Sequence, residues 1–200
     1  MQAQKKVVGS SKTLKVGPWG GHGGSTWDDG INTGVREITL VYDRCIDSIR
    51  VEYDKNGKPF LAEKHGGSGG SMTTKIKLEH PEEYLTTISG HYGPVVYGGS
   101  PVIRSLTFKS NQRTFGPFGV EDGIPFTLPM EGGMIVGFSG RCGWYLDAIG
   151  WHISPFRTVK LYETLQHKIQ RIGTLASRTL GNRDDQNGAL ATTKPQKTYA

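Results

Sequence analysis

Along the first 154 residues, apolar and polar positions alternate in short runs that break repeatedly at glycine. Three runs resemble one another: CIDSIRVEY (45–53), VIRSLTFKS (102–110) and YLDAIGWHI (145–153). In each, one aliphatic residue stands three positions before another, and alternation follows. Ile46, Ile49 and Val51 thus match Ile103, Leu106 and Phe108, and both sets match Leu146, Ile149 and Trp151. Alternation of period two predicts a strand with one face buried. The segments just before these runs, VREITLVYDR, YLTTISGHYG and MIVGFSGRCG, each read as a strand entering a polar or glycine turn. The unit is strand, apical loop, strand, and it occurs three times. Strands of unrelated origin also look alike, but recurring turn chemistry, HGGSGG at 65–70 and GPFG at 116–119, favours a true internal repeat. The expectation is an all-β domain of about twelve short strands, grouped as three sheets around a common core.

From Pro155 the pattern changes. Val159, Tyr162, Leu165, Ile169, Ile172 and Ala176 recur three or four apart, which predicts an amphipathic helix over 155–181 with Gly181 as its stop. Residues 182–200 are polar with scattered Lys and read as a disordered basic tail, and residues 1–12 as a flexible N-terminus. Charge sharpens this division. The formal net charge is +6, and eight of the 24 Lys and Arg but three of the 18 Asp and Glu lie from Pro155 onward. The first 154 residues are nearly balanced, so the body carries no footprint for nucleic acid. The helix admits several readings: docking to a partner protein or to an anionic membrane through Lys160, Lys168 and Arg171, packing on its own domain, or pairing of chains into a homo-oligomer.

Composition adds two points. Glycine supplies 29 of 200 residues, about twice its ~7% average usage, as many tight turns between short strands require. Cys45 and Cys142 are too few for a disulfide framework, no apolar run approaches the ~20 residues of a membrane span, and the N-terminal segment lacks an apolar signal-peptide core. The expectation is a cytoplasmic protein, with the nucleus as the other compartment, and with reduced thiols.

Where the repeats are compared position by position, Asp47 of the first and Asp147 of the third stand where the second has Arg104. An ionised carboxylate accepts several hydrogen bonds and donates none, so it suits the paired hydroxyls of a sugar. Gly143 would let the loop turn tightly, leave the amides of Trp144 and Tyr145 free, and set their rings beside the polar groups. The competing reading is a turn-capping aspartate. Other chemistries fit less well. The six histidines show no metal-ligand spacing, and GGHGGS lacks the lysine of a phosphate loop. Asp28 and Asp29 are adjacent, so in a strand they point to opposite faces and make a poor acid–base pair. Neither catalysis nor a cofactor or metal is indicated.

GPWGGHGGSTWDDG (17–30), HGGSGG (65–70), TFGPFG (114–119), GIPFTLP (123–129) and IVGFSGRCGWYLDAIG (135–150), taken with the threefold plan, resemble the jacalin-related lectins of plants. The resemblance covers residues 13–154 and excludes the tail. It implies a β-prism, three four-stranded Greek-key sheets about a pseudo-threefold axis. It also implies a sugar site in which the Gly24 amide meets O3 of a hexopyranose. Asp147 receives O4 and O6, and the amides of Trp144 and Tyr145 behind Gly143 meet O5 and O6. The GHYGP stretch (90–94) matches the rim that adjusts glycan preference. In the family, galactose preference accompanies cleavage that frees the amine of the glycine matching Gly24. This chain runs unbroken there, like the mannose/glucose branch, so mannose- or glucose-type glycans and glycoproteins are the implied partners. Some members carry a second site on the first repeat. Asp47, Gly66 and Gly67 match it, but Asp43 stands where that site opens with glycine. The alternative function is a glycan-independent scaffold that engages proteins or membranes through its basic C-terminal helix.

Overall fold

The computed structural model describes residues 13–129 and 132–156. The N-terminal segment 1–12, the tail 182–200 and the predicted helix beyond Phe156 lie outside the described residues. The first repeat forms β3 (Gly34–Tyr42), β4 (Ile46–Lys55), β5 (Lys58–Gly66) and β6 (Met72–Lys77), in the spatial order β5-β4-β3-β6. The second repeats this plan with β7 (Leu85–Pro94), β8 (Pro101–Ser110), β9 (Thr114–Gly119) and β10 (Ile124–Leu128), ordered β10-β7-β8-β9. Three successive antiparallel neighbours with a fourth strand returned beside the first is a Greek key.

The third sheet draws on both ends of the described chain. Its central hairpin is β11 (Gly133–Cys142) and β12 (Leu146–Pro155). Its flanks are β1 (Leu14–Gly20) and β2 (Ser25–Asp28), in the order β1-β12-β11-β2. The short β1–β2 loop, residues 21–24, therefore occupies the place held in the first sheet by the loop from β5 to β6. Gly133 pairs with Pro155, which carries β12 one residue past the boundary expected at 154.

All nine residues of the repeated apolar pattern, Ile46 to Trp151, have no exposed surface and line the core between the sheets. Their spacing of three before alternation has a structural cause. Tyr42 pairs with Ile46 and Val41 with Ser48, so Asp47 is an extra residue between them. The same slip skips Arg104 between Ile103 and Ser105, and Asp147 between Leu146 and Ala148. Each is a β-bulge. A bulge inserts one residue and shifts the alternation by one, so Leu146 and Ile149 both face inward although three apart. It also re-aims the inserted side chain, which here is the polar residue that distinguishes the repeats.

Candidate carbohydrate-binding site

Residues 143–145 link β11 to β12. The Gly143 N–H donates to Tyr145 O at 3.0 Å, closing the turn and leaving the Trp144 and Tyr145 amides outside that bond. The Trp144 ring is 88% exposed, whereas Asp147 is only 7% exposed. Its Oδ2 is buried and has no hydrogen-bond partner among the described residues. Most buried polar atoms in folded proteins are paired, so an orphaned carboxylate oxygen calls for an explanation. Burial pushes the Asp147 carboxyl above its ordinary value, while the charge of Arg141 and the Gly143 amide act against that rise.

The β1–β2 loop wraps this carboxylate. The Gly21 N–H donates to Asp147 O at 2.9 Å. A Cβ at Gly23 would come within 2.5 Å of Asp147 Oδ1, and one at Gly24 within 2.1 Å of Cys142 O. Gly24 also has φ +57°, a left-handed conformation that glycine adopts without a steric cost. Only a backbone free of side chains lies this close to the acid. Gly24, Gly143, Trp144, Tyr145 and Asp147, the five residues expected from the sequence, line one cavity of about 570 Å³. Its opposite wall is apolar and comes from Val95, Val96 and Val102 around the β7–β8 turn. That wall corrects the expectation that residues 90–94 form the rim. Pairing of His91 with Ser105 and Pro94 with Pro101 carries β7 through Pro94, so the turn begins at Val95.

The first repeat builds a second cradle with the same geometry. Gly67 N–H donates to Asp47 O at 3.0 Å, and Cβ atoms at Gly69 and Gly70 would fall 2.5 and 2.8 Å from the Asp47 carboxylate oxygens. Asp47, Gly66 and Gly67 are thus brought together. Gly69 and Gly70 join them, and the shared spelling GGHGGS (20–25) and GGSGGS (66–71) is the signal that could have found them. The difference lies at the loop opening. Asp43 takes the place of Gly143, and after burial its charge is the next influence raising the Asp47 carboxyl.

In the second repeat the equivalent bulge is filled. Arg104 donates from Nε to Arg44 O at 3.0 Å and from Nη1 to Pro94 O at 2.7 Å, with Asp122 at 3.2 Å. A buried cation that satisfies main-chain carbonyls leaves no acceptor for a hydroxyl. The other candidate acids are engaged elsewhere. Asp28 bonds to His152 and Lys15, and Asp29 receives Tyr53 and meets His65, each at 2.6 to 2.7 Å. Cys45 and Cys142 are both free, and burial pushes the Cys45 thiol up to about 12.

A family model, the Jacalin-like lectin domain, matches residues 16–152. Jacalin-related lectin 19 of Arabidopsis thaliana is 63% identical over 166 residues, which cover 83% of this chain and 94% of that protein. A galactose-specific lectin of Morus indica is 46% identical over 73% of this chain and 95% of its own length. Among solved structures, an artocarpin–mannotriose complex matches with a TM-score of 0.69 at 52% identity, covering 72% of this chain and 99% of its own. A mannose-specific jacalin-related lectin from Morus nigra, in complex with mannose, matches at 0.68 and 50%, covering 75% and 99%. The chain therefore belongs to the jacalin-like lectin family, and it is a carbohydrate-binding β-prism.

Proposed function

We propose that this chain binds mannose- or glucose-type glycans, free or on glycoproteins, through Gly24, Gly143, Trp144, Tyr145 and Asp147, and that it does so without catalysis. The observation that carries the reading is Asp147 Oδ2, a buried oxygen without a partner among the described residues, in a residue that lines an open cavity. Two hydroxyls of one pyranose supply the missing donors, and the Gly24, Trp144 and Tyr145 amides complete the ring of contacts. The apolar wall at Val95 and Val96 suits the C–H surface of a sugar or of its neighbour in a chain.

The choice of mannose over galactose is supported by similar structures, two of which contain mannose or a mannotriose. A chain uncut between β1 and β2 offers an amide at Gly24 rather than a charged amine. Calorimetry with methyl α-mannoside and methyl α-galactoside tests this, and tighter binding of the galactoside would overturn it. Membership of a lectin family supports the non-catalytic reading, and incubation with nitrophenyl glycosides checks it. Two unpaired thiols fit a reducing compartment, so the same reading assigns the protein to the cytoplasm or nucleus, which cell fractionation tests. Lectin-family membership does not favour the glycan-independent scaffold.

A further inference from the structure

We propose that Arg141 is the positioning residue of the sugar site, its guanidinium gripping the Gly23 and Gly24 carbonyls so that the Gly24 N–H is aimed at the ligand. The inference rests on the reading of the site given above. Arg141 lies on β11, where it pairs with Ala148 of β12 and with Thr26 of β2. From there Nε donates to Gly23 O at 2.9 Å and Nη2 donates to Gly24 O at 2.7 Å.

The first of these bonds fixes more than a carbonyl. A trans peptide unit is planar, so the carbonyl of residue 23 and the N–H of residue 24 point in opposite directions. Drawing Gly23 O toward Arg141 turns the Gly24 N–H away from it. The Gly24 backbone lies against the loop opening, with its Cα 3.4 Å from where a Gly143 Cβ would sit. Between Gly21, which bonds to Asp147 O, and Ser25, which pairs with Cys142, the Arg141 fork holds the span. The sequence of the loop cannot hold it, because side chains are excluded at both glycines.

Arg141 also bears on the acid. The charged and titratable groups around Asp147 are Arg141 and Cys142 of β11 and Tyr145 of the cavity, with His22 of the β1–β2 loop, Lys15 of β1 and Asp28 of β2 sharing a groove with Arg141. Burial raises the Asp147 carboxyl, and the Arg141 charge is the first influence that opposes the rise. The same side chain therefore aims a donor and favours the ionised form of the acceptor.

Two variants separate these effects. Affinity for methyl α-mannoside is measured by calorimetry from neutral pH down through the acid range, where a carboxyl becomes protonated. Arg141→Lys keeps the charge but cannot span two carbonyls with one planar fork, so binding should weaken about tenfold with the acid limb unmoved. Arg141→Gln loses the charge as well, so its binding should weaken at least as far and its acid limb should move to higher pH. Parental affinity in folded Arg141→Lys overturns the aiming role. Weakened binding in Arg141→Gln with a parental acid limb makes Arg141 merely structural and also overturns the proposal. Should Arg141→Gln fail to melt cooperatively, Arg141→Lys alone decides. If Asp147→Asn binds as the parent does, the site reading has failed rather than the role of Arg141.

Discussion

Replacing Asp147 by Asn changes one atom and one charge at the centre of the site, and the structure sets opposite expectations for binding and for stability. An amide retains one acceptor oxygen, so a sugar loses at least one charge-assisted hydrogen bond, worth about 1.5–3 kcal/mol. A monosaccharide site of millimolar affinity has only about 4 kcal/mol in total. Affinity for methyl α-mannoside should fall about tenfold or more, beyond ready detection by titration calorimetry. The fold should not suffer, because Asp147 Oδ2 has no hydrogen-bond partner among the described residues and its charge is held in a desolvated position. Burial raises the folded-state pKa above 3.8, so the folded protein binds this proton more tightly than the unfolded chain does. The parent therefore gains stability from this group as pH falls through the raised value, and Asp147→Asn should remove that slope without lowering the midpoint at neutral pH. Thermal melts across pH supply the second readout. Unchanged sugar affinity in a folded Asp147→Asn protein would refute the site, and a large loss of stability would refute the claim that the carboxylate is unpartnered by the fold.

The glycines that wrap each acid make a paired test. Gly23→Ala should displace the Asp147 carboxylate, since its Cβ would meet Oδ1 at 2.5 Å, and should weaken mannoside binding with a modest cost in stability. The matching Gly69→Ala acts on Asp47 and should leave the main site unaffected in calorimetry. Parent crystals soaked in methyl α-mannoside should show one sugar per chain, beside Asp147. Asp43→Gly should add or strengthen density beside Asp47 by removing a charge and a Cβ from the loop opening, and equal density at both acids in the parent would count against this. At the base of the second repeat, buried Glu83 accepts both Arg113 nitrogens at 2.9 Å and Ser110 at 2.8 Å, which holds its carboxyl at about 2 instead of 4.5. Its contribution is full above pH 4.5 and is lost as pH falls toward about 2, so Glu83→Gln should flatten acid unfolding in that window.

What the sequence determined by itself was the local grammar of the strands. Alternation of period two marks a buried face because side chains on a strand point to opposite sides, and that property needs no knowledge of neighbours. The spacing from Leu146 to Ile149 likewise recorded a bulge in the order of residues, although only the pairing of Cys142 with Leu146 and of Arg141 with Ala148 identified it as one. Asp47, Arg104 and Asp147 could be aligned from the chain alone for the same reason. Tertiary structure decided what each bulged residue meets. Arg104 closes its position on the carbonyls of Arg44 and Pro94, and Asp47 shares its cradle with Asp43. Asp147 is left with a buried oxygen unpaired among the described residues because β1 and β2 complete the third sheet, bringing residues 21–24 against residues 141–147 across more than a hundred positions. Nothing in the residues next to Arg141 in sequence marks it out. Its grip on Gly23 and Gly24 is a contact between two ends of the chain, and such contacts follow from how the sheet closes and leave no periodic trace in either segment.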